Sequence, residues 1–140
     1  MNSNPEHLFV YGTLLLPQIM QAVSGQRHIA CAAVLHDYAR YALRGKPYPG
    51  IVPQPGASVA GLVYCRLRAA AWQRLDDYED RFYRRRQVVV ELDSGARVMA
   101  WTYVIAEQQR ALLSTRDWSL AQFRQRYLQG YLPRLHARRH

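Results

Sequence analysis

Leu8-Phe9-Val10-Tyr11-Gly12-Thr13-Leu14 opens on four apolar residues in succession and breaks at a glycine. A run this short and this apolar reads as a strand buried on both faces, and Gly12 marks the tight turn that ends it. Downstream, Pro17 can start a short helix that runs to about Val23 and stops at Gly25. From Ile29 to Leu43 the residues are mostly small, β-branched or aromatic, which predicts one long strand or two, bent near His36-Asp37. Arg44-Gly45-Lys46-Pro47-Tyr48-Pro49-Gly50 has loop chemistry, and residues 53–56 read as a further turn. Residues 59–66 read as a strand in which Gly61 allows close backbone approach. Residues 69–79 are helical by propensity and period. Gln87 to Leu92 and Arg97 to Ile105 flank Asp93-Ser94-Gly95, a strong hairpin signal. Asp117 can cap a last helix that ends near Leu128.

Strands and helices do not alternate regularly along this order. An α+β fold is therefore expected, with a small mixed, barrel-like β-sheet and flanking helices, rather than a doubly wound parallel sheet. The 140 residues suit one domain, placed here at residues 1–132. Residues 133–140 begin with Pro133 and are basic, so a solvated, flexible tail is expected there.

The formal charge is +9, and Lys46 is the only lysine among 19 basic residues. Such a balance can attract an anionic partner. No nucleic-acid recognition motif accompanies it, so no nucleic-acid partner is expected. Cys31 and Cys65 have no CxxC spacing and sit in apolar runs, which reads as two reduced core thiols. The polar N-terminus carries no apolar signal core, and no stretch approaches the ~18 apolar residues of a membrane helix. A cytoplasmic protein with no membrane partner is expected. Nothing in the sequence gives the oligomeric state.

Phosphate-binding glycine loops, zinc-protease and serine-hydrolase motifs are all absent. The five histidines show no metal-ligand spacing with one another or with a cysteine. The carboxylates are more informative. On the helix at 69–79, Trp72, Leu75 and Tyr78 form one apolar stripe, and Glu79 falls within it at roughly 100° per residue. Asp77 points away, and Asp76 and Asp80 lie toward the rim. Two readings of Glu79 follow. Burial and the neighbouring acids would raise its pKa, whereas Arg81 or Arg84 would lower it. Since surface ion pairs are common, the pattern alone favours pairing with an arginine. The turn at Gly12 also has two readings: consecutive N–H groups of Thr13 and Leu14 that cradle an anion, or an ordinary strand-to-helix turn.

Taken together, these stretches resemble the γ-glutamylcyclotransferase-like proteins, which include γ-glutamylamine cyclotransferases and the plant avirulence-induced (AIG2-like) proteins. Leu8 to Leu14 is similar to their FVYGTL signature. Leu75-Asp76-Asp77-Tyr78-Glu79 followed by Tyr83-Arg84-Arg85-Arg86-Gln87-Val88-Val89-Val90 is similar to their LDxxE and YxRxxVxV elements. Residues 48–53 and 59–64 look like their proline loop and V-x-G-x-x-Y strand. The likeness runs from about residue 7 to residue 105.

It implies a small mixed barrel, and conversion of a γ-glutamyl amine or γ-glutamyl amino acid to 5-oxoproline and a free amine, with no metal and no cofactor. It implies Glu79 as general acid/base. It also implies substrate binding at Tyr11, Gly12, Thr13, Leu14 and Tyr83, with the turn holding the γ-glutamyl head largely through backbone groups. The leaving amine stays open, because Leu15 and Leu16 stand where many relatives carry a polar residue. A non-catalytic ligand-binding or interaction module on the same fold is the alternative reading.

Overall fold

A computed structural model describes residues 6–138, with backbone alone for Asp80 and for residues 136–138. β1 (Glu6–Val10) runs into a 3₁₀ turn at Thr13–Leu15 and then α1 (Pro17–Ser24). β2 (Ala30–Ala42), β3 (Pro49–Leu67) and α2 (Ala69–Glu79) follow. A second 3₁₀ turn at Asp80–Phe82 leads into the hairpin of β4 (Tyr83–Leu92) and β5 (Arg97–Ile105). A third at Glu107–Leu112 precedes α3 (Leu120–Arg126) and α4 (Leu128–Arg138).

The strands form a closed barrel in the order β1-β3-β2-β4-β5. Neighbours are antiparallel except at the closing seam, where β1 and β5 pair in parallel at Leu8 and Trp101. The sheet is therefore mixed, and closure removes the free edges an open sheet would expose.

The apolar run of β1 is explained by two cores. Phe9 and Tyr11 point into the barrel with Leu35, Ile51, Val63 and Val90. Leu8 and Val10 point outward beneath the helices, with Ile19, Met20, Leu67, Leu75 and Phe123. A strand buried on both faces has no polar alternation to show. It also needs a small neighbour: a Cβ at Gly61 would lie 2.1 Å from the Val10 carbonyl oxygen and 2.8 Å from Phe9 Cζ.

Several expectations need correction. The turn expected at 53–56 lies inside the single 19-residue strand β3. Residues 54–57 oppose Asp37 alone, because His36 pairs with Ser58 and Tyr38 with Pro53. The breakers thus form a bulge, held by a 3.0 Å bond from Gly56 N–H to Asp37 Oδ1. The cysteines are free, but Cys31 is exposed and Cys65 only partly buried. They occupy the end of the β2–β3 ladder, before β2 gains β4 as a neighbour at Ala33.

Asp117 does not cap α3; Ser119 does, accepting from Gln122 N–H at 3.2 Å. The chain from residue 133 is not a loose tail as far as the structure describes it. α4 continues through Pro133, and Leu135 is buried in the helix-layer core. Leu128, Leu132 and Leu135 supply the helical period that anchors it there. No helix among the described residues is long and apolar enough to cross a membrane.

Candidate active site

A cavity of about 230 Å³ opens where β1 ends, between the barrel and the helix layer. Tyr11, Gly12, Thr13, Leu14, Glu79 and Tyr83 all line it. The structure thus brings together every site residue expected from the sequence. The remaining wall includes residues that the sequence reading did not assign to the site: Tyr48, Pro49, Tyr78, Phe82, Tyr103 and Tyr131.

One side of the cavity is formed by the turn that follows β1. After β1 the chain enters a 3₁₀ turn with Gly12 at its N-cap. The carbonyls of Gly12 and Thr13 accept from Leu15 and Leu16, at 2.9 and 3.1 Å. The N–H groups of Gly12, Thr13 and Leu14 donate to no acceptor among the described residues. These are the orphan donors of any helix start, and they can receive an anionic or partly anionic oxygen.

The turn is pinned from behind. Arg40 Nη1 donates to the Tyr11 carbonyl at 2.8 Å, and Tyr64 OH to the Leu14 carbonyl at 2.8 Å. The Tyr11 hydroxyl donates to the Tyr103 carbonyl. Gly12 is packed so tightly that a Cβ there would lie 2.9 Å from the Pro49 ring.

Glu79 comes from the last residue of α2, whose buried stripe of Ala71, Trp72 and Leu75 packs the helix against the barrel. Glu79 itself is partly buried. Among the described residues no arginine pairs with it, contrary to the reading the pattern alone favoured. Burial, and then the nearby charge of Asp76, push its carboxyl up to about 8. It is therefore mostly protonated at neutral pH. The helical period is what makes this possible, since Asp77, two residues earlier, is exposed.

Tyrosines dominate the rest. Tyr83 is buried and donates to the Pro49 carbonyl at 2.5 Å, which leaves its oxygen able to accept. Thr13 Oγ1, Tyr78 OH and Tyr131 OH form a chain with spacings of 2.9 and 2.6 Å. Burial raises the phenols of Tyr11, Tyr78 and Tyr83, and the charge of Glu79 adds to it, so all stay protonated. Tyr131 was out of reach of the sequence reading because α4 was not expected. Tyr103 is a mid-strand aromatic like many others, and nothing local marks it.

The basic run at 84–86 is mostly exposed, yet Arg85 is held in place. Its guanidinium stands 4.6 Å from the Trp72 ring and 5.1 Å from Trp101, with Nη2 3.5 Å from Asp76 Oδ2. Arg84 Nη1 donates back to the Tyr83 carbonyl at 3.1 Å.

Known proteins share this fold. Residues 8–120 match the family described as gamma-glutamyl cyclotransferase, AIG2-like. The chain is 36% identical over 106 residues to Protein AIG2 C of Arabidopsis thaliana, covering 74% of this chain and 64% of that protein, just under two-thirds of its length. Among solved structures it resembles an Arabidopsis thaliana protein determined in solution, at 28% identity and a TM-score of 0.72, over 99% of this chain and 85% of the other. A gamma-glutamyl cyclotransferase at 17% identity shares the fold with a TM-score of 0.68, over 94% and 86% of the two chains. On the match of residues 8–120, which takes in the barrel, the donor turn and Glu79, the chain belongs to the gamma-glutamyl cyclotransferase, AIG2-like family.

Proposed function

We propose that this protein is a γ-glutamylcyclotransferase, which converts a γ-glutamyl amine or γ-glutamyl amino acid to 5-oxoproline and the free amine. The observation that carries this reading is a mostly protonated Glu79 lining the same small cavity as Gly12, Thr13 and Leu14, whose main-chain N–H groups have no acceptor among the described residues.

In the reaction, the substrate's α-amino nitrogen attacks its own δ-carbonyl. A five-membered lactam forms, and the bond from that carbonyl to the leaving nitrogen breaks. Because the nucleophile is tethered, the protein's main task is to hold a folded conformer, and a cavity of about 230 Å³ suits one glutamyl chain. The α-ammonium must lose a proton and the leaving nitrogen must gain one. Glu79 can do both in turn. Its raised pKa lies closer to that of an amine than an ordinary carboxyl's does, so neither transfer is steeply uphill. The donors at Gly12, Thr13 and Leu14 would hold the α-carboxylate or the oxygen that becomes negative at the tetrahedral stage. Tyr11 and Tyr83 would shape the wall against the methylene chain. The reading calls on no metal and no cofactor.

The test is 5-oxoproline release from a panel of γ-glutamyl compounds, by wild-type protein and by Glu79→Gln. Wild-type release is expected, with a loss of ~10²-fold or more in the variant. Normal turnover by Glu79→Gln would remove Glu79 from the chemistry. No release from any compound would favour a binding module.

A further inference from the structure

A second hollow, of about 550 Å³, lies beside the cavity and is lined in part by Arg44, Lys46, Arg116, Arg126 and Asp117. Its four cations are exposed. Among the described residues none of them has a carboxylate within ion-pair distance. The acid in the lining is already taken: Arg40 donates to both Asp117 oxygens, from Nε at 2.7 Å and Nη2 at 3.1 Å. The cleft is therefore a concave surface with four unopposed positive charges. Unopposed charges repel one another, and a concave wall focuses their field on whatever enters.

Two stretches of chain separate this cleft from the cavity, and each faces both. In the first, Lys46 and Pro47 line the cleft while Tyr48 and Pro49 line the cavity. Lys46 Nζ sits 5.2 Å from the centroid of Phe82, a cavity residue. In the second, Tyr127 lines the cleft and Tyr131, one helical turn on, lines the cavity, joined by a 2.9 Å bond from Tyr131 N–H to the Tyr127 carbonyl. Lys46 thus stands at the border of the two hollows, against a residue that lines the cavity.

We propose that the basic cleft seats the leaving portion of the substrate and selects γ-glutamyl compounds whose leaving amine carries two or more carboxylates. This rests on the cyclotransferase reading of the adjoining cavity. A leaving group with its own positive charge, such as a polyamine, would meet four like charges there. A neutral one would pass the cleft without engaging it.

The experiment compares γ-glutamyl-Glu-Glu with γ-glutamyl-Gln-Gln, which have nearly the same shape and differ by two charges. Affinities are measured by calorimetry on Glu79→Gln protein, so that turnover cannot consume either peptide. The acidic peptide is expected to bind at least about tenfold more tightly, the effect of two modest charge-assisted contacts. The preference should shrink as salt rises, and it should fall below about threefold in Glu79→Gln protein that also carries Lys46→Gln and Arg126→Gln. Equal affinities, an unchanged preference in the cleft variant, or no binding of either peptide would each overturn the assignment. Release of 5-oxoproline by the wild-type protein is followed separately. Preferential binding without release would strike the cyclotransferase reading and leave the cleft standing, and release without preference would do the reverse.

Discussion

The hydroxyl of Tyr103 donates to Asp76 Oδ1 at 2.7 Å, and so ties a wall of the cavity to the acid one helical turn before Glu79. Arg85 holds the other oxygen of Asp76 from the surface side. Asp76 is thereby held close to Glu79 while remaining outside the cavity lining.

Asp76→Asn should move the pH dependence of turnover. If the carboxylate form of Glu79 takes the ammonium proton, kcat/KM of the wild type rises with pH, with a midpoint near 8. Asparagine keeps an acceptor for Tyr103 but removes one of the two causes of the raised pKa. The midpoint is therefore expected at lower pH, as read from a profile of kcat/KM. An unmoved midpoint would detach Asp76 from the function of Glu79.

Glu79→Gln should stabilise the fold at alkaline pH while abolishing turnover. The carboxyl titrates at about 8 when folded, against a model-peptide value of 4.5. Between those values the folded state holds the extra proton, so wild-type stability falls as pH rises through that range. Glutamine does not titrate and escapes the loss. Unfolding free energies from denaturant titrations should converge for the two proteins near pH 4.5 and differ by a few kcal/mol, in favour of the variant, above pH 8. Parallel curves across the range would mean that Glu79 titrates as an ordinary surface acid.

Gly12→Ala and Gly61→Ala should fail in different ways. At Gly61 the new Cβ would meet a main-chain oxygen and a buried ring inside the barrel, neither of which can yield. A loss of at least ~3 kcal/mol in unfolding free energy is expected. At Gly12 the clash is with side-chain atoms of the Pro49 ring at the cavity wall, not with main chain, so less has to give. There we expect ~1–2 kcal/mol of stability lost, together with a raised KM from displaced donors.

Tyr83→Phe removes the bond to the Pro49 carbonyl and keeps the ring. A buried acceptor left without its donor costs ~1–3 kcal/mol. Pro49 also packs against Gly12, so the donor turn should loosen with it. A kcat/KM lowered by about tenfold is expected, by kinetics on whichever γ-glutamyl compound the wild type turns over.

Much of the architecture was legible because it rests on local physics. The apolar run Leu8–Tyr11 that ends β1, the Asp93-Ser94-Gly95 turn and the Pro17–Gly25 helix boundaries each act within a few residues. The stripe of α2 likewise put Glu79 on the buried side, since helical period fixes which residues share a face. What misled was equally local: Pro53 and Gly56 look like a turn, and Pro133 looks like a stop. A bulge opposite Asp37 absorbs the first pair, and the burial of Leu135 outweighs the second.

By itself, then, the sequence singled out Glu79 and the turn at 11–14 as the candidate site, together with the mixed barrel that bears them. Only the tertiary structure decided that Glu79 has no arginine partner among the described residues, that tyrosines from four separate elements and two connecting segments close around it, and that four cations gather in a neighbouring cleft. The reason is separation along the chain. A carboxyl's charge state and a cleft's field depend on groups brought close through space from distant segments, and no periodicity or local propensity encodes those distances.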